Sequence, residues 1–208
     1  MLNNPAARKV ISGLIEPPAR LLLRMHVSPD AVTIAGTVLT AGVALWMLPQ
    51  GMFIPAVLIM LVLSMSDLLD GTMARMAGTS GPWGNFLDAT LDRVADGAIF
   101  GGLALYGAFQ GQPWLTAAAL LALVTGQVTS YSKARAEAVG ATANVGIAER
   151  AERLIVAGMA TLLAGLGVPY VLPAALWILG ALGLITVAQR IWAVRAQLKV
   201  PGPPTSDG

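Results

Sequence analysis

Long apolar stretches, separated by short polar turns, dominate the chain. Six of them, at 31–49, 53–75, 85–109, 113–137, 152–168 and 171–195, match or approach the length of about 20 residues that carries a helix across a bilayer core. Turn-forming segments join them in pairs: Pro49-Gln50-Gly51, Gln110-Gly111-Gln112-Pro113, and Gly165 to Pro169. In lipid a spanning segment must satisfy its backbone internally, and runs this long exclude barrel strands, so each run is predicted to be a helix. The stretch 1–27 has a different pattern. There Val10, Ile11, Leu14 and Ile15 mix with Arg8, Lys9 and Arg20, which suits an amphipathic helix lying in the membrane interface. The expected fold is all-α integral membrane, with an interfacial juxtamembrane helix over 1–27 and six transmembrane helices over 28–199. A Pro/Gly/Ser-rich tail over 200–208 is expected to be disordered.

Composition agrees with that map. The 208 residues are 56% hydrophobic and 12% charged, with a mean hydropathy of +0.71, which excludes a soluble globule of this size. Absence of cysteine removes disulfides and thiolate chemistry. No cleavable signal peptide is evident, since Asn3, Asn4, Arg8, Lys9 and Glu16 precede the first long apolar run. A net charge of +2 gives no ground for a nucleic-acid partner. The placement of charge says more than its sum. All 13 Lys and Arg residues map to one side of the six-span arrangement, and the three turns on the other side carry none. By the positive-inside rule both termini and the 76–84 and 138–151 loops face the cytoplasm of a bacterial plasma membrane.

Five of the 11 acidic residues crowd into thirty positions: Asp67, Asp70, Asp88, Asp92 and Asp96. Asp67 and Asp70 are spaced i, i+3 near the cytoplasmic end of the second span, on one helix face. Asp88, Asp92 and Asp96 are spaced i, i+4, i+8 at the cytoplasmic start of the third. A short loop makes the two spans antiparallel neighbours whose carboxylates can converge. Such a cluster repels itself unless a cation neutralises it. Arg75 and Arg93 are too few, and hard divalent ions with oxygen ligands are the natural complement. Solvated helix-end charges are the alternative, although charges within spans are costly enough to point to function. Gly71, Gly78, Gly81 and Gly84 in the same stretch suit either close approach of a phosphate or helix packing and turns.

The order Asp67-Leu-Leu-Asp70-Gly71-Thr-Met-Ala74-Arg75, eight residues, Gly84-Asn-Phe-Leu-Asp88-Ala-Thr-Leu-Asp92 resembles the complete signature of the CDP-alcohol phosphatidyltransferase family. Eight fixed residues stand at the family's spacings, and the resemblance extends to the six-helix layout with its interfacial helix. It implies transfer of a phosphatidyl group from a CDP-linked lipid to an alcohol. It further implies that Asp67, Asp70, Asp88 and Asp92 hold two divalent ions per active site, magnesium with manganese as the alternative. Asp92 would also be the general base on the attacking hydroxyl. Gly71 and Arg75 would lie beside the nucleotide and its phosphates, while Asp96, outside the signature, would either support the metal ligands from behind or be structural. Asp30, Ala31, Val32 and Thr33 would meet the cytidine end of CDP-diacylglycerol; a Ser28 or Asp30 helix cap explains the same residues equally well. Where Gly81 stands the family often has Ser or Thr, a departure that Thr79 or Ser80 could offset.

A basic cluster follows: Ser130, Lys133 and Arg135 at the end of the fourth span, Arg150 and Arg153 at the start of the fifth, Arg190 late in the sixth. Anchoring explains Arg135, Arg150, Arg195 and Lys199. Lys133, Arg153 and Arg190 fall deeper, where a cation needs a partner such as a phosphorylated acceptor. The stretch from Gln127 to Glu137, with Glu149-Arg150-Ala-Glu152-Arg153, looks like the actinobacterial phosphatidylinositol phosphate synthases. That resemblance implies inositol 1-phosphate as acceptor, gripped by Ser130, Lys133, Arg153 and Arg190. A phosphatidylglycerol phosphate synthase using glycerol 3-phosphate is the nearest alternative. A cation transporter is a remote one, since the carboxylates cluster at one membrane face and the acidic motif is not repeated. Membrane lipid surrounds the chain, and Gly97-Ala-Ile-Phe-Gly101, a small-xxx-small pattern, could seat a second copy in a homodimer.

Overall fold

A computed structural model describes residues 5–147 and 149–199. Among them all regular structure is helical: α1 Pro5–Arg24, α2 Pro29–Met47 followed by a 3-10 turn at Leu48–Gln50, α3 Phe53–Leu63, α4 Ser66–Ala77, α5 Pro82–Phe109, α6 Pro113–Ala138, α7 Arg150–Gly165 and α8 Val171–Lys199. Every predicted run is helical. The expected tail over 200–208 and the first four residues of the expected interfacial helix lie outside the described residues. Among the described residues four stretches are long and apolar enough to cross a membrane: Pro29–Gln50, Phe53–Ala77, Pro113–Ala138 and Val171–Lys199. The chain is thus an all-α protein with the helices of a membrane protein.

One predicted run is interrupted. The second breaks between α3 and α4, where the Ser64 and Ser66 hydroxyls donate to the Leu61 and Leu63 carbonyls at 2.7 and 2.6 Å. Serine hydroxyls that bond back to the preceding turn compete with the helical backbone ladder, which explains an interruption inside an otherwise apolar run.

The fold comprises two compact units, 1–102 and 103–208, and α5 runs from the first into the second. In the first unit α1 packs on α4, and α2 packs on both α3 and α4. Ile15 and Ala19 on α1 are buried, whereas Arg20 and Glu16 form an exposed ion pair at 3.1 Å, so this helix has an apolar and a charged face. Gly36 is what lets α2 approach α4. A Cβ there would overlap the Ser66 side chain.

In the second unit α8 packs against α6 and α7. The contacts are made by small residues: Ala118, Ala119 and Ala122 of α6 are buried, and Gly180 and Gly183 of α8 leave room for Leu121 and Thr125. Larger apolar side chains such as Val124, Ile155, Ile178 and Trp192 face outward. Small residues between helices and large apolar ones outside is the arrangement of helices that pack in lipid, where burial of apolar surface offers little drive.

Candidate active site

The signature carboxylates all lie in the first unit. Thr33 is on the first turns of α2, a helix started by Pro29 and capped by Ser28, whose Oγ accepts from the Ala31 N–H at 3.2 Å. The cap therefore uses the Ala31 N–H, and the Val32 N–H reaches the Ser28 carbonyl at 3.3 Å. Asp30 is engaged as well: Trp83 Nε1 at the start of α5 donates to its Oδ2 at 2.8 Å. Trp83 was not among the residues singled out from sequence. Its ring lies 5.9 Å from that of Phe86, and both are largely exposed.

On α4, Asp70 is buried at 8% exposure while Asp67 is exposed. Thr33 Oγ1 donates to Asp70 Oδ2 at 2.5 Å, and the same hydroxyl lies 3.2 Å from the Pro29 carbonyl oxygen. Both Asp67 and Asp88 stand close enough for their charges to act on the Asp70 carboxylate. Gly71 adjoins open space, because a Cβ there would meet nothing within 4 Å, and the same holds for Gly81 and Gly84. These three glycines are not packing notches. Gly78 is different: at φ +67° it ends α4, and the Thr79 N–H closes the turn on the Ala74 carbonyl at 3.0 Å, a left-handed helix cap. Arg75, also on α4, is exposed and donates to Thr72 Oγ1 at 2.9 Å.

On α5, Asp88 is exposed, Asp92 half-buried and Asp96 buried. Arg93 lies between the latter two, 3.9 Å from Asp92 and 3.6 Å from Asp96. The second distance joins a buried carboxylate to a cation of the same helix.

Among the described residues the acidic side chains alone do not form a closed three-ligand cage. The donor set nevertheless suits a hard divalent cation. It consists of carboxylate oxygens, one of them on a buried group whose second oxygen is already oriented by Thr33, beside glycines that open onto free space. Magnesium is commonly held by one or two carboxylates with water and substrate phosphate oxygens supplying the rest, which needs no all-protein cage.

In the second unit the basic residues meet on α6. The Arg153 guanidinium, 2% exposed, lies against Gly126: a Cβ there would be 3.0 Å from Arg153 Cζ. Arg190, 4% exposed, donates from Nη1 to the Thr129 carbonyl at 2.5 Å and from Nε to the Val145 carbonyl at 2.9 Å. Gly126 and Thr129 are three residues apart, so α7 and α8 bring their guanidinium groups to points about 4.5 Å apart along α6. Ser130 and Lys133 continue that stripe at i+4 and i+7 from Gly126. Ser130 Oγ points back to the Gly126 carbonyl at 3.3 Å. Lys133 is exposed, not buried within its span as its sequence position suggested. Arg190 differs from expectation in another way, since two backbone carbonyls already offset the cost of its burial.

This site belongs to a known class of enzyme: the chain is a member of the CDP-alcohol phosphatidyltransferase family, whose model matches residues 26–192. Within the family it is 44% identical over 202 residues to the phosphatidylinositol phosphate synthase of Streptomyces avermitilis, covering 93% of this chain and 83% of that one. To the synthase of the same name from Cutibacterium acnes it is 46% identical over 191 residues, covering 88% and 92%. The phosphatidylinositol phosphate synthase of Mycobacterium tuberculosis with CDP-DAG bound has the same fold, with a TM-score of 0.81 at 39% identity over 89% of this chain and 94% of that one. A second structure of that enzyme, in complex with manganese and citrate, gives a TM-score of 0.83 at 39% identity, covering 89% and 90%.

Proposed function

We propose that the chain transfers the phosphatidyl group of CDP-diacylglycerol to inositol 1-phosphate, giving phosphatidylinositol phosphate and CMP. The observation that carries this reading is the buried Asp70, oriented by Thr33 and close to the charges of Asp67 and Asp88, in a chain 44% and 46% identical to two phosphatidylinositol phosphate synthases. In the reaction an inositol hydroxyl oxygen bonds to the phosphorus that bears the diacylglycerol. The pyrophosphate bridge to CMP breaks, and CMP leaves with the bridging electron pair. Asp92 takes the hydroxyl proton, as a half-buried carboxylate at the edge of the site can. Bound by Asp67, Asp70, Asp88 and Asp92, two magnesium ions would neutralise the pyrophosphate and the charge developing on the leaving group. Arg75, on the helix that carries Asp67 and Asp70, adds a cation for the donor phosphates, and Gly71 and Gly81 leave space beside them. Asp30, Ala31, Val32 and Thr33 frame the nucleotide end. With the Ala31 N–H used by the cap, contact there falls to side chains and to the remaining first-turn N–H groups. Ser130, Lys133, Arg153 and Arg190 meet the acceptor phosphate, a dianion that suits clustered cations.

We read six spans, with α2 as the first and α3 with α4 as the second. α4, α6 and α8 all end at basic residues (Arg75, Arg135, and Arg195 with Lys199), so each runs toward the cytoplasm. Each successive pair then needs an intervening crossing, which α5 and α7 supply. α7 has 16 residues, about 24 Å of helix, short of a core of about 30 Å and suited to a locally thinned bilayer. In this reading the carboxylates lie at the cytoplasmic face of the plasma membrane, where CDP-lipid and inositol phosphate are both accessible. A second copy of the chain is the expected partner, with the open face of Gly101 available to it.

Labelled CDP-diacylglycerol, offered in parallel inositol 1-phosphate, free inositol, glycerol 3-phosphate and serine, tests the reading. Label carried in the phosphatidyl group should move from CDP-diacylglycerol into a new phospholipid only with inositol 1-phosphate. Transfer to glycerol 3-phosphate alone would replace the proposed acceptor while leaving the family assignment intact.

A further inference from the structure

The segment between α6 and α7 is fastened along one face of α8. The Gln197 side chain pairs in both directions with the backbone of Thr142: Oε1 accepts the Thr142 N–H at 2.9 Å and Nε2 donates to its carbonyl at 2.7 Å. Arg190 Nε holds the Val145 carbonyl at 2.9 Å. The Ile147 N–H donates to Thr186 Oγ1 at 3.3 Å, and Gly146, at φ +147°, lies so close to Thr186 that a Cβ would stand 2.5 Å from its Cγ2. Positions 186, 190 and 197 differ by 4 and 7, which puts them on one face of the helix.

The order is antiparallel: Thr142, Val145 and Ile147 meet Gln197, Arg190 and Thr186. From Thr186 to Gln197 the helix rises about 16 Å. Five residue steps from Thr142 to Ile147 can span at most about 18 Å. The strap is therefore held near full extension and has little slack. Two residues beyond it, Glu149 starts α7 with a capping box, its N–H donating to Glu152 Oε2 at 2.7 Å. One turn later comes Arg153, seated against Gly126.

We propose that Gln197 is a positioning residue for acceptor binding: by fastening the upstream end of this strap to α8 it fixes where α7 begins, and so where Arg153 stands. Gln197 carries no charge, and its hydrogen bonds go to Thr142 of the strap and to the Ala193 carbonyl of its own helix, so it reaches Arg153 through the strap. The inference rests on the acceptor reading given above, in which Arg153 meets the acceptor phosphate.

The test uses the full-length chain in membranes, with Gln197→Ala and Gln197→Glu compared with wild type. A second set carries Ala143→Cys, a probe in a chain that has no other cysteine, at a strap position only 1% exposed. In Gln197→Ala the KM for inositol 1-phosphate should rise about 3- to 10-fold, as expected when a neutral side chain-to-backbone pair opens. The KM for CDP-diacylglycerol and kcat should hold, and maleimide should label Cys at 143 faster. Gln197→Glu keeps the acceptor for the Thr142 N–H but loses the donor, and should fall between. An unchanged acceptor KM, or donor and acceptor KM rising together, overturns the proposal. A wild-type chain inactive with inositol 1-phosphate refutes the acceptor reading instead, and the labelling rate then decides whether Gln197 fastens the strap at all.

Discussion

Thr33 of α2 donates its hydroxyl to Oδ2 of the buried Asp70 on α4, 2.5 Å away, across a contact that Gly36 and Ser66 keep close. The carboxylate is thereby oriented by a neutral donor, and the Gly71 N–H adds a second bond to it. Thr33→Val keeps the shape and removes the donor. Loss of such an orienting partner costs about 10- to 100-fold in metal affinity, so the manganese-binding midpoint by calorimetry should move up by that factor. Thr33→Ser should stay near wild type. Gly36→Ala, which sets a Cβ against Ser66, should shift the midpoint in the same direction as Thr33→Val. Equal midpoints for Thr33→Val and wild type would mean that the hydroxyl does not orient a metal ligand.

Asp67→Asn, Asp70→Asn and Asp88→Asn should each abolish metal-dependent transfer, because each removes a unit of negative charge and an oxygen donor from a cation site. Asp92→Asn should also stop turnover yet retain more CDP-diacylglycerol binding, since its distinct task is proton removal. Loss of the carboxylate also removes the 3.9 Å partner of Arg93, which still has Asp96 at 3.6 Å. The helix should therefore survive, and binding of the donor lipid by equilibrium dialysis can be read separately from turnover. Near-normal turnover by Asp92→Asn would rule it out as the base.

The helices were legible because apolar runs bounded by Pro and Gly turns carry their own boundaries, and the family was legible because Asp67, Asp70, Gly71, Asp88 and Asp92 keep a fixed spacing. What stayed hidden depends on partners distant in sequence. Ser64 and Ser66 look unremarkable inside an apolar run, but their hydroxyls bond back and break it. Gly36 and Gly126 gain meaning only from Ser66 and Arg153 opposite them. Arg190 was read as needing an anion, whereas its partners include the Thr129 and Val145 carbonyls, and a backbone carbonyl has no letter in a sequence. Lys133 is exposed because which face of α6 meets α8 decides exposure, and that face is set by Gly180 and Gly183. Trp83 offered a weak signal in advance, as a large indole among small residues; its partner Asp30 lies 53 positions away.

The absence of native cysteine makes the membrane topology directly testable. Single cysteines replacing Gln50, Gln112 and Gly140 lie outside the α-helices, Gln50 at the end of the 3-10 turn, and all three native residues are exposed. An impermeant maleimide applied to intact cells should label positions 50 and 112 but not 140, which becomes reactive only after the cells are opened. Labelling at 140 from outside would overturn the inward placement of the basic ends.

Arg153 is the most deeply buried of the basic residues assigned to the acceptor, at 2% exposure, and Gly126 of α6 is the residue that makes room for it. A buried guanidinium is costly unless polar groups or an anion complement it, and a phosphorylated acceptor supplies two negative charges. Loss of a charge-assisted contact should cost about 1.5–3 kcal/mol, roughly 10- to 100-fold. If that contact is equally strong in ground and transition states, the loss falls on KM and not on kcat. Arg153→Gln should therefore raise the KM for inositol 1-phosphate 10- to 100-fold by these magnitudes and leave CDP-diacylglycerol affinity near wild type. Gly126→Ala should act in the same direction, because its Cβ would come within 3.0 Å of Arg153 Cζ and push the guanidinium off its seat without removing the charge. Arg135→Gln, on an exposed residue assigned to anchoring, should do far less. Arg190→Gln should cost stability as well as acceptor affinity, since it takes the Arg190 donor from the Val145 carbonyl and one donor from the Thr129 carbonyl, to which Ser132 Oγ still donates at 2.8 Å. If Arg153→Gln weakened donor binding instead, the cation would belong to the pyrophosphate, and the division of labour between the two basic groups would have to be reversed.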